Sequence, residues 1–260
     1  HHFIATMRTL IATADRREEK LRDFHDFRRR NLEGGRHQGI RAYLVPPGKD
    51  PARTWSLVET LILDGIEVQR ATEPFSLDRV RGYDGQAAEK RSFPAGTYIV
   101  SMAQPASSVA QALLEKDPKL PEIFIEEQKK RLEKKQRDEF YDITAWSLPV
   151  AYGVEAFWSE SEARAPSERV GTTRPDAAGR VLEGKGRYGY LIPGDSNAGL
   201  ALTVRLLREG YVVGIADKEF GIGQRDWPRG TAVVRSERNP ASLREAIARA
   251  ARDLGVDVFA

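Results

Sequence analysis

Phe93-Pro-Ala-Gly-Thr-Tyr-Ile-Val100 and Trp227-Pro-Arg-Gly-Thr-Ala-Val-Val234 are two copies of one pattern: an aromatic residue, Pro, a variable residue, Gly-Thr and a strand-like apolar run. Four further matches flank them in the same order. Tyr43-Leu-Val-Pro46 matches Tyr190-Leu-Ile-Pro193, and Gly65-Ile-Glu-Val68 matches Gly210-Tyr-Val-Val213. Ala71 and Phe75 match Ala216 and Phe220, and Pro105-Ala-Ser107 matches Pro240-Ala-Ser242. Unrelated α/β units also share a Gly after a helix and Pro-Gly in a turn. Phe/Trp-Pro-x-Gly-Thr before a strand goes beyond that background and points to a tandem duplication.

Each copy reads as a strand, a helix of about 14 residues and a second strand, the spacing of a parallel crossover. In the first copy, Arg41-Ala-Tyr-Leu-Val45 is a strand ended by Pro46-Pro47, and Asp50-Pro51 supplies a cap and a proline for the first helical position. The helix carries Trp55, Leu57, Val58, Leu61 and Ile62, and Ile66-Glu-Val68 opens the next strand. A polar loop through Gly82 and Gly85 and a helix over residues 107–114 complete it. The expected fold is α/β, with tandemly duplicated strand-helix-strand units forming mainly parallel sheets. Either both copies share one sheet or they pack as a pseudo-symmetric pair.

Between the copies, Ile143, Trp146, Val150, Val154 and Phe157 fall at spacings of three and four and predict a buried aromatic helix, capped by Asp142. Pro149 kinks that helix or starts a second one. Residues 126–139 read as a solvated helix with Glu126/Lys130, Glu127/Arg131 and Glu133/Arg137 pairs. Residues 1–38 form a helical segment, one helix or two, because Asp15-Arg-Arg-Glu18 has the form of a turn or new cap. The expected divisions are therefore 1–38 helical, 39–158 first repeat with the aromatic helix, 159–186 an aperiodic linker, and 187–260 second repeat.

With 260 residues, 40% hydrophobic and 30% charged, the chain can bury a substantial core. A net charge of +3, from 41 basic and 38 acidic residues, is too even to argue for nucleic acid as a partner. No apolar run approaches the ~18 residues of a membrane span, and no signal peptide opens the chain. The absence of cysteine excludes disulfides, thiolate metal sites and cysteine nucleophiles. Both ends read as cut, and a fragment of a longer protein is expected. His1-His2 is native or the remnant of a purification tag.

Candidate sites are few. His1, His2, His25 and His37 are followed three residues on by Ile4, Ala5, Arg28 and Ile40, so no His-x-x-Glu zinc pair exists. The best polar loop is Pro193-Gly-Asp-Ser-Asn-Ala-Gly199, between a strand and a helix. Asp195, Ser196 and Asn197 there either help the helix N-terminus hold an anionic ligand or simply cap the helix. Phe220-Gly-Ile-Gly-Gln224 reads as a flexible glycine loop. Asp217 and Glu219 could serve as a carboxylate pair, which spacing along the chain does not establish.

Tyr141-Asp-Ile-Thr-Ala-Trp-Ser-Leu-Pro149 with Gly153-Val-Glu155 resembles the region that follows the catalytic domain in large bacterial zinc carboxypeptidases of the carboxypeptidase A-like family. Thr13-Ala-Asp-Arg-Arg17, Leu21-Arg-Asp-Phe24 and Arg28-Arg-Arg30 resemble the last helices of the peptidase domain. Tyr43-Leu-Val-Pro-Pro47 and Phe93-Pro-Ala-Gly-Thr97 resemble the α/β region that follows. Tyr188-Gly-Tyr-Leu-Ile-Pro193 resembles its continuation toward a glutamine-amidotransferase-like module. The resemblance implies a parent protein that removes C-terminal residues from peptides with zinc, often exported to the periplasm or outside the cell. The zinc ligands and catalytic Glu of that family match no position here. The implied role is a non-catalytic accessory region without a cofactor of its own, partnered by the peptidase domain of the same chain. The alternative is an α/β module that binds a small anion without hydrolase activity.

Overall fold

The structure, a computed structural model, describes residues 2–37, 39–48, 50–116, 121–137, 139, 147–173, 179–182, 184–223 and 225–260. It divides into two compact units, residues 1–46 with 61–170 and residues 47–60 with 171–260.

Two helices open the first unit, α1 (His2–Asp15) and α2 (Arg17–Gly35), with the break at Arg16. Strand β1 (Ala42–Val45) leads to helix α3 (Pro51–Leu63), which runs from the second unit into the first, and then to β2 (Gln69–Ala71). A long hairpin follows, β3 (Phe75–Gly82) and β4 (Ala87–Phe93), then β5 (Tyr98–Ser101) and α4 (Ser107–Leu114). Helices α5 (Glu122–Glu133) and α6 (Leu148–Tyr152) precede β6 (Phe157–Ser159) and β7 (Ser167–Arg169). The second unit holds β8 (Val181–Leu182), β9 (Gly189–Ile192), α7 (Asn197–Arg208), β10 (Gly214–Ile215), β11 (Phe220–Ile222), β12 (Arg225–Trp227), β13 (Ala232–Arg235), α8 (Leu243–Leu254) and β14 (Val258–Phe259).

The sheets are not mainly parallel, as the strand-helix-strand spacing suggested. All pairings in the seven-stranded sheet, β4-β3-β6-β1-β5-β2-β7, are antiparallel. In the five-stranded sheet, β10-β13-β9-β14-β8, only β14 and β8 run parallel. The crossover does make β1 and β2 point the same way, but β5 lies between them and runs against both. What reads as a polar loop through Gly82 and Gly85 is the tip of the β3–β4 hairpin, and the chain leaving it returns as β5. The second copy repeats this, with β13 between β9 and β10. The spacing thus set the direction of two strands and not their adjacency, which is the logic of a split β-α-β unit.

The aromatic helix is also revised. Residues 140–146, including the expected cap Asp142 together with Ile143 and Trp146, lie outside the described residues. The described helix α6 starts beside Pro149 and ends at Gly153, which is left-handed at φ 62°. Val150 is exposed. Phe157 sits on β6, between β3 and β1, where a strand's alternation replaces the helical period. Residues 159–186, expected as a linker, supply edge strands to both sheets, β7 to the first and β8 to the second. The solvated helix expected over residues 126–139 is α5, Glu122–Glu133, which carries the expected Glu127–Arg131 pair at 3.6 Å and ends before Arg137. No helix of the described residues is long and apolar enough to cross a membrane.

In the second unit, Tyr190, Ile192, Ala232, Val234 and Val258 pack with α7 and α8 on one face of the sheet, through Leu202, Leu206, Ile247 and Ala250. In the first, Leu44, Ile99 and Phe157 form a core with Leu77, Val80 and Phe93 of the long hairpin.

Candidate functional site

The two copies align residue for residue about their central strands. Tyr43 faces Val100 as Tyr190 faces Val234, and Gln69 faces Ile99 as Gly214 faces Val233. In the shared Pro-x-Gly-Thr turn, the Thr97 N–H and hydroxyl donate to the Pro94 carbonyl at 3.3 and 2.8 Å. Thr231 does the same to Pro228 at 3.2 and 2.7 Å. Gly96 and Gly230 take φ 86° and 93°, the left-handed backbone that this turn's third position demands. A side-chain amide clamps each copy, buried in the first and half-buried in the second. Gln104 accepts from the Glu67 N–H and donates to the Glu67 carbonyl, while Asn239 does both to Val212.

The match extends to a fourth strand that the sequence reading did not connect. Phe157 on β6 faces Leu44 of β1, and Phe259 on β14 faces Leu191 of β9. Gly153-Val-Glu-Ala-Phe157 and Gly255-Val-Asp-Val-Phe259 were the legible signal. They went unconnected because the former was read as helix. Each phenylalanine meets the aromatic residue of the turn motif edge-on, Phe93 at 5.5 Å and Trp227 at 5.0 Å. Each also carries an arginine over its ring, Arg91 at 3.9 Å and Arg225 at 3.8 Å. Arg225 lies 4.6 Å over Trp227 as well. Such cation–π contacts contribute about 0.5–2 kcal/mol each and fix the guanidinium in place.

The copies part at the counter-ion. Arg91 pairs with Glu155 at 3.4 Å. The residue equivalent to Glu155 is Asp257, one methylene shorter, and its carboxylate accepts from the Arg180 backbone N–H at 2.9 Å. Among the described residues, no carboxylate lies within 4.0 Å of the Arg225 guanidinium. Arg225 borders a cavity of about 730 Å³ that Arg180, Ser196, Asp257 and Phe259 also line. Phe259 further lines an apolar cavity of about 640 Å³ with Tyr188, Leu191, Ile222 and Val233.

The polar loop expected to hold an anion is spread around this site. Ser196 caps α7, its hydroxyl accepting from the Gly199 N–H at 2.9 Å. The Asn197 N–H donates to Asp50 at 2.8 Å, and Arg53 donates to the Asn197 side chain at 3.2 Å. Asp50 also accepts from the Arg53 N–H, so one buried carboxylate caps α3 and α7 together. The chain itself therefore supplies the anion at this helix N-terminus. Asp195 is exposed and shares a cavity of about 450 Å³ with Glu219, Asp226 and Arg225, whereas Asp217 is not among its lining. The Phe220–Gln224 stretch, read as a glycine loop, is strand β11 and its turn, with residue 224 outside the described residues.

Zinc does not fit the described residues. No three His, Cys, Asp or Glu side chains among them are grouped as a metal would need, and His25 lies exposed beside Asp26 at 3.4 Å. In the first unit, burial, with Glu115 nearby, holds the Tyr43 hydroxyl well above the usual phenol range. Burial likewise raises Tyr83, which donates to the Leu114 carbonyl. Comparison with family models, with curated proteins and with solved structures yields no match to this chain.

Proposed function

We propose that the chain is a non-catalytic region whose second unit binds a carboxylate at Arg225. One observation carries this reading. The same arginine–aromatic arrangement occurs twice, and where the cleft is filled by the chain's own residues, the guanidinium holds a carboxylate, that of Glu155. Arg225 keeps the geometry, has no such acid among the described residues and faces a cavity of ligand size. Guanidinium–carboxylate pairing then supplies a charge-assisted contact. The wider setting, supported by the sequence resemblance, is an accessory region of a zinc-dependent metallocarboxypeptidase, with zinc and peptide hydrolysis belonging to a peptidase domain of the same chain.

Thermal unfolding in the presence of butanoate tests the binding. A ligand that binds only the folded state at 100 times its Kd adds about 2.7 kcal/mol. Butanoate is expected to raise the Tm of the chain and of Arg91→Gln, and to leave Arg225→Gln unmoved. An equal response in Arg225→Gln and the parent chain rejects the reading. For the accessory role, metal analysis of the chain is expected to find no stoichiometric zinc; tight stoichiometric zinc would overturn it.

A further inference from the structure

We infer that the ligand of the second unit is an apolar monocarboxylate, its charged end on Arg225 and its hydrocarbon body in the cavity between Phe259, Leu191 and Val233; this rests on the carboxylate reading above. The first copy shows what this face of the sheet accepts. There the hairpin residues Leu77, Val80 and Phe93 cover Leu44 and Ile99, the equivalents of Leu191 and Val233. Beside that apolar cover, Glu155 places its carboxylate on Arg91. The first copy thus provides, from its own chain, a carboxylate next to an apolar body.

Among its described residues, the second copy provides neither. Its hairpin is cut to three residues a strand, β11 and β12, which form a separate two-stranded sheet. Ile222, which lines the apolar cavity, is paired directly opposite Arg225. Phe259 lines both cavities and links the charged position to the apolar one.

Charge selects a single negative group. Of the acids lining the larger cavity, Asp50 is paired with Arg53, leaving Asp257 against Arg180 and Arg225. Among the described residues that line the larger cavity, that balance leaves one positive charge. Asp195, Glu219 and Asp226 on the adjoining cavity oppose a dianion such as phosphate.

The test is calorimetric titration of the chain with butanoate, octanoate, octan-1-ol and inorganic phosphate. Octanoate is expected to bind at least tenfold more tightly than butanoate, because each added methylene is buried. Octan-1-ol, which has the tail without the charge, is expected to bind at least tenfold more weakly than octanoate, and phosphate not at all. Leu191→Ser and Val233→Ser should weaken octanoate severalfold and narrow its advantage over butanoate, with circular dichroism confirming that each variant is folded. Equal affinity for butanoate and octanoate, both abolished in Arg225→Gln, overturns this inference and leaves the carboxylate reading standing. Octanoate binding unaltered in Arg225→Gln and Arg225→Lys overturns both.

Discussion

Strands β1 and β9 occupy the same place in two copies of one design, yet β1 is buried at all four positions while β9 alternates between buried and half-buried. Their partners, register, turn and amide clamp agree. The difference comes from outside the shared strands. In the first copy a hairpin of eight- and seven-residue strands folds over the face that carries Leu44, Ile99 and Phe157. In the second, three-residue strands leave the corresponding face lined by cavities. A longer hairpin in one connection thus turns a cavity-lined face into core. The arginine–aromatic pair survives in both because Arg91 and Arg225 stand two residues before the aromatic residue of the shared turn motif, at the end of the hairpin where the copies still match, and only the counter-ion changes.

The comparison breaks most visibly at the two phenylalanines. Phe157→Ala is expected to destabilise the first unit by about 3–5 kcal/mol, the cost of a cavity in a packed core. Phe259→Ala should cost clearly less, because cavities already adjoin that ring. Urea unfolding of both variants checks this, and equal losses would mean that the hairpin adds no packing.

Alkaline pH separates the copies next. Tyr43 and Tyr83 belong to the first unit, and their folded-state pKa values stand above the unfolded value of 10.0. The folded state therefore keeps its protons where the unfolded state has lost them. That contribution is intact below pH 10 and is lost as pH rises toward the folded values. Thermal scans should show stability falling above about pH 10, with a shallower fall in Tyr43→Phe. Tyr43→Phe should cost little at neutral pH, since its hydroxyl has no partner among the described residues. An unchanged slope in Tyr43→Phe would assign the alkaline loss elsewhere.

The smallest effect sharpens the comparison at the counter-ion. Glu155→Gln removes a largely exposed ion pair and should change stability by about 0–1 kcal/mol. Placed in the Arg225→Gln background, it frees Arg91 and should restore a weak Tm response to butanoate. No response would show that the open cavity, and not the guanidinium geometry alone, makes the second site.

Much of the duplication could be read from residues whose roles are local. Gly96 and Gly230 are demanded by a positive φ, Thr97 and Thr231 by a hydrogen bond three residues back, and Ser196 by a helix N-terminus a few residues on. The strand order could not be read this way. A polar, charged run such as Asp78 to Arg91 looks like a loop, because its outward positions meet water and only Leu77, Val80, Gly82 and Phe93 turn inward. The site was half legible. Asp195 and Ser196 do line the cavities around it, but no local pattern distinguishes Arg225 among 41 basic residues.

By itself, then, the sequence determined the two Pro-x-Gly-Thr turns, the Asp50 and Ser196 caps, most of the helices and the equivalence of the two copies; the turns and caps are set by hydrogen bonds within a few residues. Only the tertiary structure decided that β5 and β13 enter between strands the crossover had made parallel. It alone decided that Asp50 fills a distant helix N-terminus, and that Arg91 meets an acid while Arg225 meets none among the described residues. These depend on residues as far as 147 positions apart, and pairing across such distances is fixed by which surfaces can be buried together, which local spacing does not encode.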